Sequence, residues 1–114
     1  MLTFSLVAAA AVATQPLPPE TEADMRCFEA LLYAVGTENA DKARQSLLLT
    51  SATYYVGRLN IRLPGEDWTP HLRRLGNDKA FFQGVQSEIS RCSVESGKAM
   101  QVAGTAAQNA AKPQ

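Results

Sequence analysis

The sequence predicts an all-α protein, a small bundle of about four helices in which the first and last are joined by a disulfide. Three observations lead there. Apolar residues recur at intervals of three and four along most of the chain, the period of a helix with one buried stripe. No segment alternates apolar and polar β-branched residues over a useful length, so no sheet is expected. The chain has two cysteines, Cys27 and Cys92, far apart in sequence.

With 114 residues and 46% of them hydrophobic, the chain can build one domain with a modest core. Eleven Lys and Arg balance eleven Asp and Glu. No net field therefore draws the chain to nucleic acid or to anionic lipid, and any partner must be recognised locally. The charge is nevertheless uneven. Residues 20–41 carry six acids against Arg26, while the remainder carries ten bases against five acids.

Residues 1–13, MLTFSLVAAAAVA, hold no charged side chain and close on the small residues Ala11-Val12-Ala13. This is the pattern of a secretory signal peptide. Its apolar run is much shorter than the roughly 20 residues of a membrane-spanning helix, so no stable membrane insertion is expected after cleavage. Residues 14–20, with Pro16, Pro18 and Pro19, read as an extended linker to a helical domain over 21–104.

Thr21-Glu22-Ala23-Asp24 has the form of a capping box opening the first helix. Met25, Phe28, Leu32 and Val35 follow as one stripe widened by Leu31, and Gly36 supplies a stop. A second helix is expected from just after Asn39 to about Asn60. Ala43, Leu47, Ser51, Tyr54 and Arg58 make one row of it, and Leu48, Ala52, Tyr55 and Leu59 the adjacent row. Pro64-Gly65 turns the chain. Thr69-Pro70 reads as an N-cap and a first-turn proline for a short helix through Leu75, ended by Gly76. The last and longest helix starts at Asn77 or Asp78 and carries Phe81 or Phe82, Val85, Ile89, Cys92, Ala99 and Ala103 on one face. Residues 105–114 have little to bury and are expected to fray.

Export gives the two cysteines their meaning, because they reach an oxidising compartment together and pair with each other. Closing a loop of about 65 residues removes roughly 4 kcal/mol of unfolded-chain entropy. A metal site is not expected: two cysteines and the lone His71 lack a fourth ligand. No cofactor motif, nucleophile elbow or phosphate-cradling glycine loop is present, and no catalytic residue is assigned.

The stretch from Tyr54 to Trp68 allows two readings. In one, Tyr54, Tyr55 and Trp68 close the end of a helix while Arg58 and Arg62 sit near its negative terminus. In the other, Tyr54, Arg58, Arg62 and Trp68 join His71, Arg73 and Arg74 to hold a phosphate, a carboxylate or an acidic peptide. Nucleic acid is excluded by the neutral charge and the lack of any recognition motif.

Met25-Arg26-Cys27-Phe28-Glu29-Ala30-Leu31, then Tyr54-Tyr55-Val56-Gly57-Arg58-Leu59, then Arg91-Cys92 followed by Gly97, resemble a group of small exported bacterial helical proteins. The resemblance spans residues 25 to about 104. It implies the helical architecture and a Cys27–Cys92 bridge, and it implies no activity. In layout alone, two cysteines joining distant helices of a small exported chain is similar to the HdeA family of acid-stress chaperones. The function expected from the sequence is therefore a non-enzymatic, periplasmic or secreted interaction protein with a protein or peptide partner, a second copy of itself included. The alternative is a binder of small anions through the arginine and aromatic cluster.

Exported protein should have the intact mass of a chain that begins near Thr14 and carries one disulfide. A mature product that retains Met1, or one that reacts fully with a thiol reagent before reduction, would contradict this.

Overall fold

The computed structural model describes residues 15–38 and 41–113, so the signal peptide expected over 1–13 lies outside the described residues. Five helices are seen there: α1 (Pro19–Thr37), α2 (Lys42–Arg62), α3 (Thr69–Gly76), α4 (Lys79–Gln83) and α5 (Val85–Ala111). No strand occurs among the described residues. The expected count of about four becomes five because the last helix is interrupted at Gly84, and the arrangement is not a regular four-helix bundle. Three long helices, α1, α2 and α5, pack on one another; α3 leans on α1 and α4 on α5.

Helix α1 begins two residues earlier than the capping-box pattern suggests. Pro18, with φ −54° and ψ 150°, delivers the chain extended, and Pro19 opens the first turn, where a missing N–H costs nothing. No side chain caps this end. Thr21 and Asp24, the expected capping residues, are buried against the neighbouring helices instead. The buried stripe is also rotated from the expected one: Met25, Cys27, Ala30, Leu31 and Ala34 face inward, while Leu32 is exposed and Val35 half-buried. A helix packed against two long neighbours and a short one buries a wider, differently centred face than one stripe implies. Gly36 does not stop α1, which continues to Thr37.

Asp41 caps α2 by accepting from the Arg44 N–H at 3.0 Å. The row Leu48, Ala52, Tyr55 and Leu59 is buried as expected. The adjacent row is not: Leu47 is 70% exposed. Helix α2 ends at Arg62, and Gly65, with φ +70°, makes the turn that only glycine adopts without strain. Asp67, rather than Thr69, prepares α3, accepting from the Thr69 N–H at 3.0 Å and from its hydroxyl at 2.6 Å. Asp78 caps α4, accepting from the Ala80 and Phe81 N–H groups. At Gly84 (φ −100°, ψ 8°) the path bends and α5 begins. Past the expected limit at Gly104, α5 stays helical to Ala111, in a stretch rich in the strong helix former alanine.

Cys27 of α1 and Cys92 of α5 are joined by a disulfide with their Cα atoms 5.6 Å apart, so the first and last described helices are bridged as expected. Tyr55 of α2 lies fully buried beside them and donates to the Cys92 carbonyl (3.1 Å) and the Glu95 carboxylate (3.0 Å). Met25, Leu31, Leu59, Leu75 and Phe81 complete the inner core. The Arg26 guanidinium lies 5.1 Å from the centre of the Phe81 ring and also reaches Glu88 at 3.4 Å, fastening α1 to α4 and α5.

Replacing Cys27 and Cys92 together by alanine should lower stability by roughly 2–5 kcal/mol, as the loss of a long-loop bridge does. Denaturant melts of the oxidised parent and the variant measure it, and coincident midpoints would show that the bridge contributes nothing.

Candidate functional site

The arginine and aromatic cluster separates into three parts. Asp24 lies on α1, its side chain only 4% exposed, opposite the last turns of α2. Arg58 donates from Nε to both of its carboxylate oxygens at 3.0 and 3.1 Å, and Arg62 Nε lies 2.9 Å from Oδ2. Arg62 also reaches Glu20 at 3.1 Å. Tyr54, one turn before Arg58, accepts a hydrogen bond from it at 3.3 Å and lies under its guanidinium, 5.7 Å to the ring centre. Burial works against the Arg58 charge, but the hydrogen bond and charge of Asp24 more than offset it and hold the guanidinium above its ordinary pKa.

Arg74 stands apart, gripping Glu22 through two hydrogen bonds at 3.0 and 2.6 Å. Trp68 packs edge-on to Phe28 with ring centres 5.6 Å apart. Its buried indole Nε1 meets no acceptor among the described residues. His71 is half-buried at a shallow cavity of about 410 Å³ that it shares with Pro16, Leu17 and Leu63. Arg73 is exposed and forms no ion pair among the described residues; its charge adds a small pull on Asp67, whose pKa is lowered first by the Thr69 hydrogen bonds. Tyr54, Arg58 and Arg62 are thus brought together around Asp24, whereas Arg74, Trp68, His71 and Arg73 take other partners or surfaces. Three of the four arginines already face a carboxylate of α1.

A second constellation surrounds the bridge. Ligand atoms of Cys27, Glu88 and Cys92 lie within 4.8 Å of one another. The sulfurs are bonded to each other, however, and Glu88 is held by Arg26 and, at 2.6 Å, by Arg91. Its Arg91 partner also approaches the Cys27 sulfur at 3.4 Å. This is an ion-pair cluster over a disulfide, chemically unlike a set of thiolate ligands. Burial, followed by the Glu95 hydrogen bond, pushes the Tyr55 phenol above its ordinary pKa and keeps it a donor.

The feature that sequence reasoning missed is a groove between α2 and α5. Leu48 and Ile89 form its buried floor, and Leu47, Val94 and Met100 stand on its rim at 70, 57 and 37% exposure. Its volume is about 520 Å³. Ser51, Ser93 and Gly97 keep the walls low, and a Cβ at Gly97 would meet nothing within 4 Å. The one charged side chain among its described lining residues, Arg44, is paired with Glu38 at 3.1 Å. The signal available in the sequence was a surplus: with Leu48, Ala52, Tyr55 and Leu59 filling the core row, Leu47 has no inward position left, and Val94 stands in the same relation to Ile89 and Cys92. Such a surface offers apolar contact and shape; it holds the hydroxyls of Thr50, Ser51, Ser90 and Ser93, with no histidine, carboxylate or cysteine among its described lining residues.

No family model matches this chain, and no curated protein or solved structure matches it either.

Changing Asp24 to Asn leaves Arg58 and Arg62 without their shared carboxylate. The expected cost is about 2–3 kcal/mol, below the ~3–5 of a fully buried pair because the guanidiniums remain about a third exposed to solvent. Denaturant melts at neutral pH measure it. A variant as stable as the parent would show that the pairs are idle, and that the arginines are open to an external anion.

Proposed function

We propose that this chain is an exported, non-enzymatic helical module that binds another protein by seating an apolar helical segment in the groove between α2 and α5. The groove itself carries the reading. Two helices flank an open apolar channel, the arrangement that receives an amphipathic helix through anchors at i, i+3, i+4 and i+7. The exposed leucine, valine and methionine at its rim are costly in water unless covered.

Export is supported by the apolar leader read over residues 1–13 and by the Cys27–Cys92 bridge, a bond that persists in oxidising compartments. No described helix is long and apolar enough to cross a membrane. The non-enzymatic reading rests on the groove, whose described lining holds hydroxyls but no histidine, carboxylate or cysteine; His71, the single histidine, lies at a different surface. The arginine cluster supplies no competing site of comparable quality, since binding an anion there must first displace Asp24, Glu20 or Glu22.

A synthetic amphipathic helical peptide titrated into dye-labelled protein at nanomolar concentration tests this. The parent should bind it, and Leu47→Glu with Val94→Glu should weaken binding by at least about tenfold, or ~1.4 kcal/mol, with unchanged circular dichroism. Equal affinity for parent and variant would overturn the groove as the binding surface.

A further inference from the structure

The groove is open at the end where α5 leaves the bundle. Every residue from Met100 to Ala111 is exposed, and no charge lies between Lys98 and Lys112. This end of α5 therefore lacks the i,i+4 ion pairs that support a solvated helix. Beyond Met100 one of its faces is nevertheless uniformly small and uncharged, while Val102, 71% exposed, lies on the opposite side. Ser93 and Gly97 in the groove wall, Met100 at its rim, and Gly104, Ala107 and Ala111 beyond it succeed one another at intervals of four and three. That is the alternation of helices packed at a shallow crossing angle.

We propose that the segment seated in the groove is the end of α5 from a second copy of this chain. The two α5 helices run antiparallel about a twofold axis near Met100, and each lays Met100–Ala111 into the α2/α5 groove of the other. This rests on the groove reading above and names its partner. The lengths agree: the α5 wall from Ile89 to Met100 and the projecting end from Met100 to Ala111 are each 12 residues. A twofold axis at Met100 lays one beside the other, making a self-complementary interface. The area is sufficient. A helix about 18 Å long and 10 Å wide that sinks half its lateral surface buries on the order of 300 Å², so both faces of two symmetric contacts total about 1,100 Å², past the ~1,000 Å² of a specific interface. Neither surface opposes the contact electrostatically, because the projecting end is uncharged and Arg44 is already paired.

Light scattering of the full chain at micromolar concentration should give twice the chain mass. Leu47→Glu with Val94→Glu, both at exposed positions, should raise the dissociation constant by at least about tenfold while circular dichroism and the Cys27–Cys92 bridge stay unchanged. Met100→Cys should form disulfide-linked dimers under mild oxidation, whereas Asn109→Cys, nine residues or about two and a half turns further and so on the opposite face, should not. A monomeric parent overturns the pairing, as does a dimer that the glutamate variant leaves intact or equal cross-linking at the two cysteines. A monomer that still takes the synthetic peptide overturns the pairing and leaves the groove reading standing; a chain that does neither overturns both.

Discussion

The bond between Cys27 and Cys92, with Tyr55 lodged beside it, is the point on which the three long helices depend. A domain of this size has a thin core, and here α1 and α5 are held together covalently at its centre. The phenol of Tyr55 binds the carbonyl of Cys92 itself, which ties α2 to the same place. Leu31, Leu59, Leu75 and Phe81 pack around this junction, and the short helices α3 and α4 are positioned by the last two. Removing the bridge would therefore loosen one shared anchor of all three helices as well as lengthen a loop.

The uneven charge has a structural use. The acids at the start of α1 meet the arginines at the end of α2 and in α3: Glu20 and Asp24 with Arg62, Asp24 with Arg58, and Glu22 with Arg74. The pair of Glu20, an exposed carboxylate, adds little stability by itself, whereas Asp24 is buried between its two partners. The effect of these pairs is on register, because sliding α1 by one turn would place Asp24 away from both of its partners and leave a buried carboxylate unpaired. Two lengths of opposite charge in a chain of zero net charge thus fix how α1 and α2 face each other.

Much of this was legible in the sequence. The helical class, the Pro64-Gly65 turn and the buried row from Leu48 to Leu59 follow from periodicity and turn chemistry, which act locally, and the bridge follows from there being two cysteines and no others. The misplacements share a different cause. Thr21 and Asp24 look like a capping box because their side chains suit one, yet Asp24 is claimed by the arginines of α2 and Thr21 is buried. Leu47 shares a helix row with Tyr54 but has no neighbour to cover it, and Leu32 sits on a stripe that the neighbours of α1 leave open. Gly84 was indistinguishable from a tolerated helical glycine until α4 and α5 had to diverge there. Ser96 is buried although hydrophilic, its hydroxyl satisfied by the Ser93 carbonyl. The groove follows from the same limit, since a surface between two helices exists only once their packing is settled.

Trp68 is the single tryptophan of the chain, and it rests edge-on against Phe28 where α3 meets α1, at the other end of α2 from the rim residue Leu47. Its ultraviolet emission is consequently a local gauge. Separation of α3 from α1 admits water to the indole and shifts the colour of that emission, while events along the α2/α5 channel leave it dark to observation. Unfolding and occupancy of the channel are thereby spectrally separable in the unmodified protein, with the intrinsic fluorophore following the first and an added label the second.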